Sequence, residues 1–429
     1  MKYIIYTLGC KVNQYETQAM ETILNERGHF PCEEGEIADL VIVNTCAVTA
    51  EAGRKSRQAI NRLKEENPEA VVAVSGCYSQ LSPDTAQKLG AHVVFGSGDH
   101  AKLIEAAEKA FETGEGTREI DNPLQRRVFE DLPAGAAEGR TRALLKIQDG
   151  CVNFCTYCII PYTRGRLRSL PVKDAANKAA ELEKEGFKEL VLTGIEIASY
   201  GVDLPGKPDL ADVICAISEA APNLRLRLGS IEPSVITEDF CQRLAKAGNV
   251  CRHFHLSLQS GCDTTLKNMN RKYDTATFYE KTELLRKYFP NCGLTCDTIV
   301  GFPGETEQHQ KETLDFLRKA AFADVHIFPY SRRPGTPADK MPHQIDRSTR
   351  ARRSREARAV GAETRRAFLE KQVGEMLPVL FETKEGKYWQ GHSDNYLVVR
   401  TEGECLRGVV KNVKISCVSG EILVGTVID

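Results

Sequence analysis

Six short apolar runs, each followed by a stretch with helical spacing, set the architecture open to this chain. They are Ala143–Gln148, Glu189–Thr193, Leu224–Ser230, His253–Leu258, Leu294–Val300 and Val325–Tyr330, with helical patterns between them, for example over Ala175–Glu185 and Glu307–Ala320. Strand-then-helix repeats join parallel strands, and six of them predict a curved, partly closed α/β barrel related in logic to the eightfold one. Such barrels place active sites on the loops after the carboxyl ends of their strands. The loop after the first strand here carries Cys151, Cys155 and Cys158 at CxxxCxxC spacing, and no other Cys or His lies between His100 and Cys215. A structural zinc site takes four ligands, usually from two local pairs. Three thiolates on a four-iron cube leave one iron open for chemistry. A zinc site completed by a distant residue is the alternative.

The segment before these units is a smaller α/β sheet. Ile4–Leu8, Asp39–Asn44 and Val71–Ser75 read as buried parallel strands, with helical patterns over Tyr15–Glu26 and Ala50–Glu66. Cys10, Cys46 and Cys77 each follow one of these strands. Carboxyl ends of parallel strands line the ligand crevice of open sheets, so three thiols far apart in sequence are expected to converge there. Three buried structural cysteines are the plainer reading.

The remaining divisions follow from composition. Residues 113–139 read as a connector, with turn signals at Asp121-Asn122-Pro123 and Asp131-Leu132-Pro133-Ala134-Gly135. Short strands and Gly turns over Leu377–Thr383, Lys387–Thr401 and Gly408–Asp429 suit a small antiparallel barrel. The expected units are therefore 1–112, the connector 113–139, 140–370 and 371–429. Fifteen cysteines without an export signal argue for thiolate ligation in a reducing compartment rather than for disulfides, and no stretch suits a membrane span. Arg332–Gln372 holds twelve Lys/Arg against five Asp/Glu, which serves either polyanion binding or the solvated face of a long helix.

Taken together, the motifs resemble the radical SAM (S-adenosylmethionine) methylthiotransferases over essentially the whole chain. The resemblance rests on Thr7-Leu8-Gly9-Cys10-Lys11-Val12-Asn13-Gln14-Tyr15-Glu16, the two cysteine triads and Pro161-Tyr-Thr-Arg164-Gly165-Arg-Leu-Arg168-Ser169. It implies that Cys151, Cys155 and Cys158 ligate a SAM-binding [4Fe–4S] cluster. By the same token, Cys10, Cys46 and Cys77 would ligate an auxiliary [4Fe–4S] cluster that donates sulfur. The last unit is similar to the RNA-binding TRAM domain. Lys11-Val12, Arg227-Leu228-Gly229-Ser230-Ile231-Glu232-Pro233 and His255-Leu256-Ser257-Leu258-Gln259-Ser260-Gly261-Cys262 look like the branch that methylthiolates C2 of N6-threonylcarbamoyladenosine beside the tRNA anticodon.

Further roles follow from that resemblance. A 5′-deoxyadenosyl radical would attack the C2–H bond, which side-chain acids and bases cannot break. Tyr157 would pack by the cluster or the adenine. Thr298-Ile-Val-Gly301-Phe-Pro-Gly304-Glu305 matches the adenine-side motif of radical SAM barrels, where Gly301 and Gly304 let backbone approach the ligand. Tyr330 ends the sixth strand, where Phe328-Pro329-Tyr330-Ser331 would offer backbone bonds to adenine. Glu196 stands near SAM or the nucleobase, where the bacterial branch often has His. Arg164 and Arg168 would meet the SAM carboxylate or RNA phosphate, a structural ion pair being the ordinary alternative. For the tRNA anticodon stem-loop, Arg347–Arg366 would track phosphates and Tyr388 and Trp389 would stack a base, with a barrel-core role as the alternative for the aromatics. The other cysteines, Cys405 and Cys417 among them, read as packing residues. A cytoplasmic site and an electron donor such as a flavodoxin or ferredoxin complete the expectation. Isopentenyladenosine tRNA or a ribosomal-protein aspartate are the alternative substrates, and a non-catalytic, metal-stabilised RNA-binding protein is the alternative of another class.

Overall fold

The computed structural model describes residues 1–134, 141–404 and 406–428. Residues 135–139 of the expected connector, and Cys405, lie outside the described residues.

Valine- and isoleucine-rich runs at the N-terminus form a six-stranded parallel sheet. Its order is Phe30–Pro31, Lys2–Thr7, Leu40–Thr45, Val71–Gly76, Val93–Phe95 and Thr117–Glu119. The two central strands are buried on both faces, which is why they read as unbroken apolar runs. Met20 and Leu24 of the helix Lys11–Glu26, with Leu103 and Ile104 of His100–Thr113, cover one face; Ile60 and Leu63 of Ala50–Glu66 cover the other. The last strand corrects the expected boundary at residue 112. Thr117–Glu119 lies inside the expected connector but pairs with Val93–Phe95, so the N-terminal unit runs further. Three polar residues carry no periodicity, and only the neighbouring strand makes them one.

The barrel strands are Arg142–Asp149, Glu189–Gly194, Arg225–Leu228, His253–Gln259, Gly293–Val300 and Asp324–Pro329, all parallel. The third breaks at Gly229, where a Cβ would lie 2.9 Å from Leu192 O, and resumes as Ser230–Ile231 beside His255 and Leu256. Phe254, Leu256 and Leu258 are buried in the main core, while His255 and Ser257 between them are only partly covered. That alternation separates an apolar outer face from a polar lumen.

The C-terminal strands Met376–Glu385, Tyr388–Ser393, Val398–Glu402, Val410–Ser419 and Ile422–Ile428 close into a barrel. It is not wholly antiparallel as expected: Val398–Glu402 and Ile422–Ile428 pair in parallel. With five strands alternating in direction, closure forces one such seam. This barrel docks under the N-terminal ends of the larger barrel's strands. Arg227 donates to Ser393 O (3.1 Å) and Asp394 O (3.0 Å), and Arg252 pairs with Asp394 at 2.6 Å. Among the described residues no helix is long and apolar enough to cross a membrane.

Candidate active site

Each N-terminal cysteine follows a strand of the sheet. Cys10 caps the helix Lys11–Glu26, Cys46 follows Leu40–Thr45, and Cys77 opens the short helix Cys77–Leu81 after Val71–Gly76. Parallel neighbours in register end at one edge, so these residues meet there. The packing is close: a Cβ on Gly9 (φ +109°) would lie 2.9 Å from Cys46 Cβ, and one on Gly76 (φ +101°) would lie 2.4 Å from Thr45 O. Asn13 ties the edge together. Its Nδ2 donates to Leu8 O (2.8 Å) and Thr45 O (3.0 Å), and its Oδ1 lies 3.7 Å from Cys10 Sγ.

Arg164 reaches this edge from the other domain. It ends the helix Ile160–Arg164, just beyond the second cysteine loop, and is fully buried. Its Nε donates to Cys77 Sγ at 3.3 Å, and its Nη2 donates to Asn13 Oδ1 (2.8 Å) and Glu16 Oε2 (3.0 Å). Arg168, also buried, pairs with Asp149 at 3.1 Å. The expectation that these two arginines meet SAM or phosphate is therefore corrected: their charges are matched inside the domain interface. Lys146 joins them, 3.2 Å from Glu16. Burial alone would raise the Glu16 pKa, but Arg164, Lys146 and His100 together hold it below the usual carboxylate range.

Cys151 follows the first barrel strand, and Cys155 and Cys158 complete the loop at the barrel's top face. The Asn153 N–H donates to Cys151 Sγ at 3.5 Å and Arg271 Nη1 to Cys155 Sγ at 3.2 Å. Arg271 also pairs with Glu232 at 2.8 Å. Burial pushes the Cys151 and Cys158 thiols up to about 12, so an electropositive partner is needed to hold them as thiolates. Neither triad brings its sulfurs within 4.8 Å of one another; among the described residues His255, Asp297 and His326 form the trio of ligand atoms that does. A single zinc ion bound at ~2.3 Å per thiolate needs closer sulfurs. Three thiolates per triad are the ligand set that leaves one iron of a four-iron cluster open.

The other expected contacts divide. Glu196 faces the loop: its Oε2 accepts from Asn153 Nδ2 (3.3 Å) and its N–H donates to Gln148 Oε1 (2.7 Å). Burial, then repulsion from Glu232, pushes its pKa up to about 7. Tyr157 packs against the cluster formed by Met269, Phe302, Tyr330 and Ala338. Gly301 (φ +73°) does make a close approach, but to Arg350, whose Cγ would stand 2.3 Å from an added Cβ. Gly304 (φ +79°) donates to His343 O at 3.0 Å and would meet nothing within 4 Å. The backbone N–H of Tyr330 is engaged with Val300 O (2.8 Å), and its carbonyl accepts from Arg350, which leaves that oxygen one lone pair for a ligand.

The RNA-facing expectations also change. In the helix Arg347–Glu370, Arg353 is buried, 2.7 Å from both Glu305 and Glu307, while Arg355 and Arg358 stay exposed. Trp389 lies in the small barrel's core, leaving Tyr388 partly exposed between Lys387 and Arg400. Cys417 is exposed rather than packed. Asn13, Glu16, Glu232 and Arg271 were not singled out by sequence reasoning. Three of them lie within the quoted motifs; Arg271 has no local signal.

A cysteine loop at the carboxyl end of the first strand of a six-stranded parallel partial barrel defines a radical SAM enzyme. Residues 145–317 match the Radical SAM superfamily and residues 2–96 the uncharacterized protein family UPF0004. The radical SAM methyltransferase TsrM from Kitasatospora setae shares the fold, with a TM-score of 0.58 at 16% identity over 79% of this chain and 74% of that one. The threonylcarbamoyladenosine tRNA methylthiotransferase of Bacillus subtilis is 37% identical over 96% of this chain and 92% of its own length. Its Thermotoga maritima counterpart is 37% identical over 81% and 79%. The tRNA-2-methylthio-N(6)-dimethylallyladenosine synthase of Alkaliphilus oremlandii is 35% identical over 96% and 90%. The chain belongs to the radical SAM tRNA methylthiotransferases. That family uses SAM and two [4Fe–4S] clusters.

Proposed function

We propose that this protein installs a methylthio group at C2 of N6-threonylcarbamoyladenosine at position 37 of tRNA, next to the anticodon. One observation carries the reading: two cysteine triads flank a single buried interface, and Arg164 spans from the loop of one to Cys77 of the other. The name shared by the 37%-identical relatives supports the substrate.

In this reading Cys151, Cys155 and Cys158 hold the SAM-binding cluster, and Cys10, Cys46 and Cys77 hold the auxiliary one. When bound, these groups supply one-electron cleavage of SAM and the sulfur that is transferred. The chain's own residues hold and shield. Arg271 and the Asn153 N–H donate to the loop sulfurs, and Glu196 and Glu232 border the SAM end of the lumen. The interface of Glu16, Lys146, Asp149 and Arg164 keeps water out between the triads. The anticodon stem-loop is the RNA partner, a flavodoxin or ferredoxin the reductant, and the cytoplasm the site of action. TRAM-like binding falls to the small barrel.

The test uses anaerobically reconstituted protein with tRNAs carrying threonylcarbamoyladenosine, isopentenyladenosine or unmodified adenosine at position 37. Methylthio product is expected on the first alone. The Cys158→Ala variant should lose SAM cleavage yet keep tRNA affinity. Product only on isopentenyladenosine refutes the substrate, and SAM cleavage surviving in the variant refutes the chemistry.

A further inference from the structure

Below the cysteine loop, the barrel lumen is polar and unevenly charged. His255, Asp297 and His326 stand on three neighbouring strands, with His255 Nε2 and His326 Nδ1 3.3 and 3.2 Å from Asp297 Oδ1. Thr295 Oγ1 fixes the far side of His255, 2.8 Å from its Nδ1. Lys11, the residue after Cys10, enters from the N-terminal unit. With Tyr396 of the small barrel it lines two cavities, of about 410 and 240 Å³, at the end of the lumen that the small barrel covers; the smaller also takes in His255 and His326.

The charges in this chamber do not balance. The guanidinium of Arg227 is matched by Glu189 (2.7 Å) and that of Arg365 by Asp324 (2.9 Å). Among the described residues Lys11 makes no salt bridge, and it is exposed. Asp297 is shared between two imidazoles and raises the pKa of His326, which favours a second positive charge. An apolar occupant would strip water from Lys11 and the imidazoles and return nothing. A cation is disfavoured too, because Lys11 faces the same cavity as the His–Asp–His row. An anion with further hydrogen-bonding groups fits both halves.

We propose that this chamber is the subsite for the substituent on N6 of the target base, with Lys11 as the counter-ion of its carboxylate and His326 Nε2 as its hydrogen-bonding partner, while His255, held at both nitrogens, only orients Asp297. The inference rests on the threonylcarbamoyladenosine reading above and identifies what would enforce it. C2 and the N6 substituent share the Watson–Crick edge of the purine. A base with C2 turned to the cysteine loop therefore carries its substituent along the lumen wall, and an isoprenoid chain would meet this polar row.

The experiment measures affinity of the SAM-bound holoenzyme for anticodon stem-loops bearing threonylcarbamoyladenosine, isopentenyladenosine or adenosine, in wild type, Lys11→Met and His326→Gln. Wild type should prefer the first. Lys11→Met should weaken that loop roughly tenfold to hundredfold, the range of a charge-assisted hydrogen bond, with the adenosine loop almost unchanged. His326→Gln should weaken it less, with the same selectivity. Iron content is measured alongside; if Lys11→Met loses iron through its neighbour Cys10, the His326→Gln result decides. Equal losses on all three RNAs make Lys11 a general phosphate contact and overturn the assignment, as does undiminished affinity. If wild type modifies threonylcarbamoyladenosine tRNA but both variants bind normally, only the subsite fails. If wild type modifies isopentenyladenosine tRNA instead, the functional reading fails with it.

Discussion

Glu16→Gln tests the interface on which the two triads depend. Glu16, Arg164 and Lys146 have no exposed side-chain surface. The carboxylate lies 3.0 Å from Arg164 Nη2, 3.2 Å from Lys146 and 3.7 Å from His100. Without its charge, Asp149 alone faces Lys146 and Arg164, both at 3.7 Å, as well as Arg168 at 3.1 Å. Leaving one partner of a buried pair uncompensated costs about 3–5 kcal/mol. Glutamine keeps one acceptor oxygen, which recovers about 1 kcal/mol, so a net loss of about 2–4 kcal/mol is expected. Anaerobic urea denaturation followed by circular dichroism measures it at the first transition, with iron content in parallel. Arg164 and Asn13 contact Cys77 and Cys10, so iron should fall from about eight per chain towards about four, the N-terminal triad emptying first. A loss under about 1 kcal/mol, the range of an exposed pair, with full iron retained refutes the reasoning.

Three further outcomes follow from the same geometry. Gly76→Ala places a Cβ against Thr45 O at a backbone angle that alanine rarely adopts, so iron at the N-terminal triad should drop and stability fall by about 1–3 kcal/mol; wild-type values of both would contradict this. The Glu196 carboxyl has its folded pKa raised from 4.5 to about 7, so its contribution to stability declines as pH rises through that window. With SAM absent, wild type should lose on the order of 1–2 kcal/mol between pH 5 and 8 relative to Glu196→Gln, and parallel urea midpoints in the two proteins would exclude the effect. Arg353→Ala should destabilise the fold by about 3–5 kcal/mol without changing the salt dependence of tRNA binding, whereas exposed Arg355→Ala should lower the salt slope by about one with stability intact; a reversed pattern would return Arg353 to the RNA face.

The barrel strands were legible because periodicity is local. Val, Ile and Leu runs bounded by turns predicted all six parallel barrel strands within a few residues, and the position of each cysteine after its strand predicted the edge where it lies. Thr117–Glu119 escaped because three polar residues carry no pattern until Val93–Phe95 pairs with them. The parallel seam of the small barrel escaped because strand spacing says nothing about closure.

Side-chain roles divided along the same line. Arg164 and Arg353 look alike in sequence to any arginine awaiting a phosphate. Each is spoken for by an acid from another element, Glu16 for Arg164 and Glu305 for Arg353. Lys11 showed the opposite: a residue that sequence marked only as part of a branch motif beside a cysteine proved to line the barrel lumen. By itself the sequence determined the six strands of the larger barrel, the two cysteine triads and the loops that carry them, since those depend on neighbours in the chain. The partner of each charge was decided only by tertiary structure, because Glu16 and Arg164 stand 148 residues apart and a charge is matched across space.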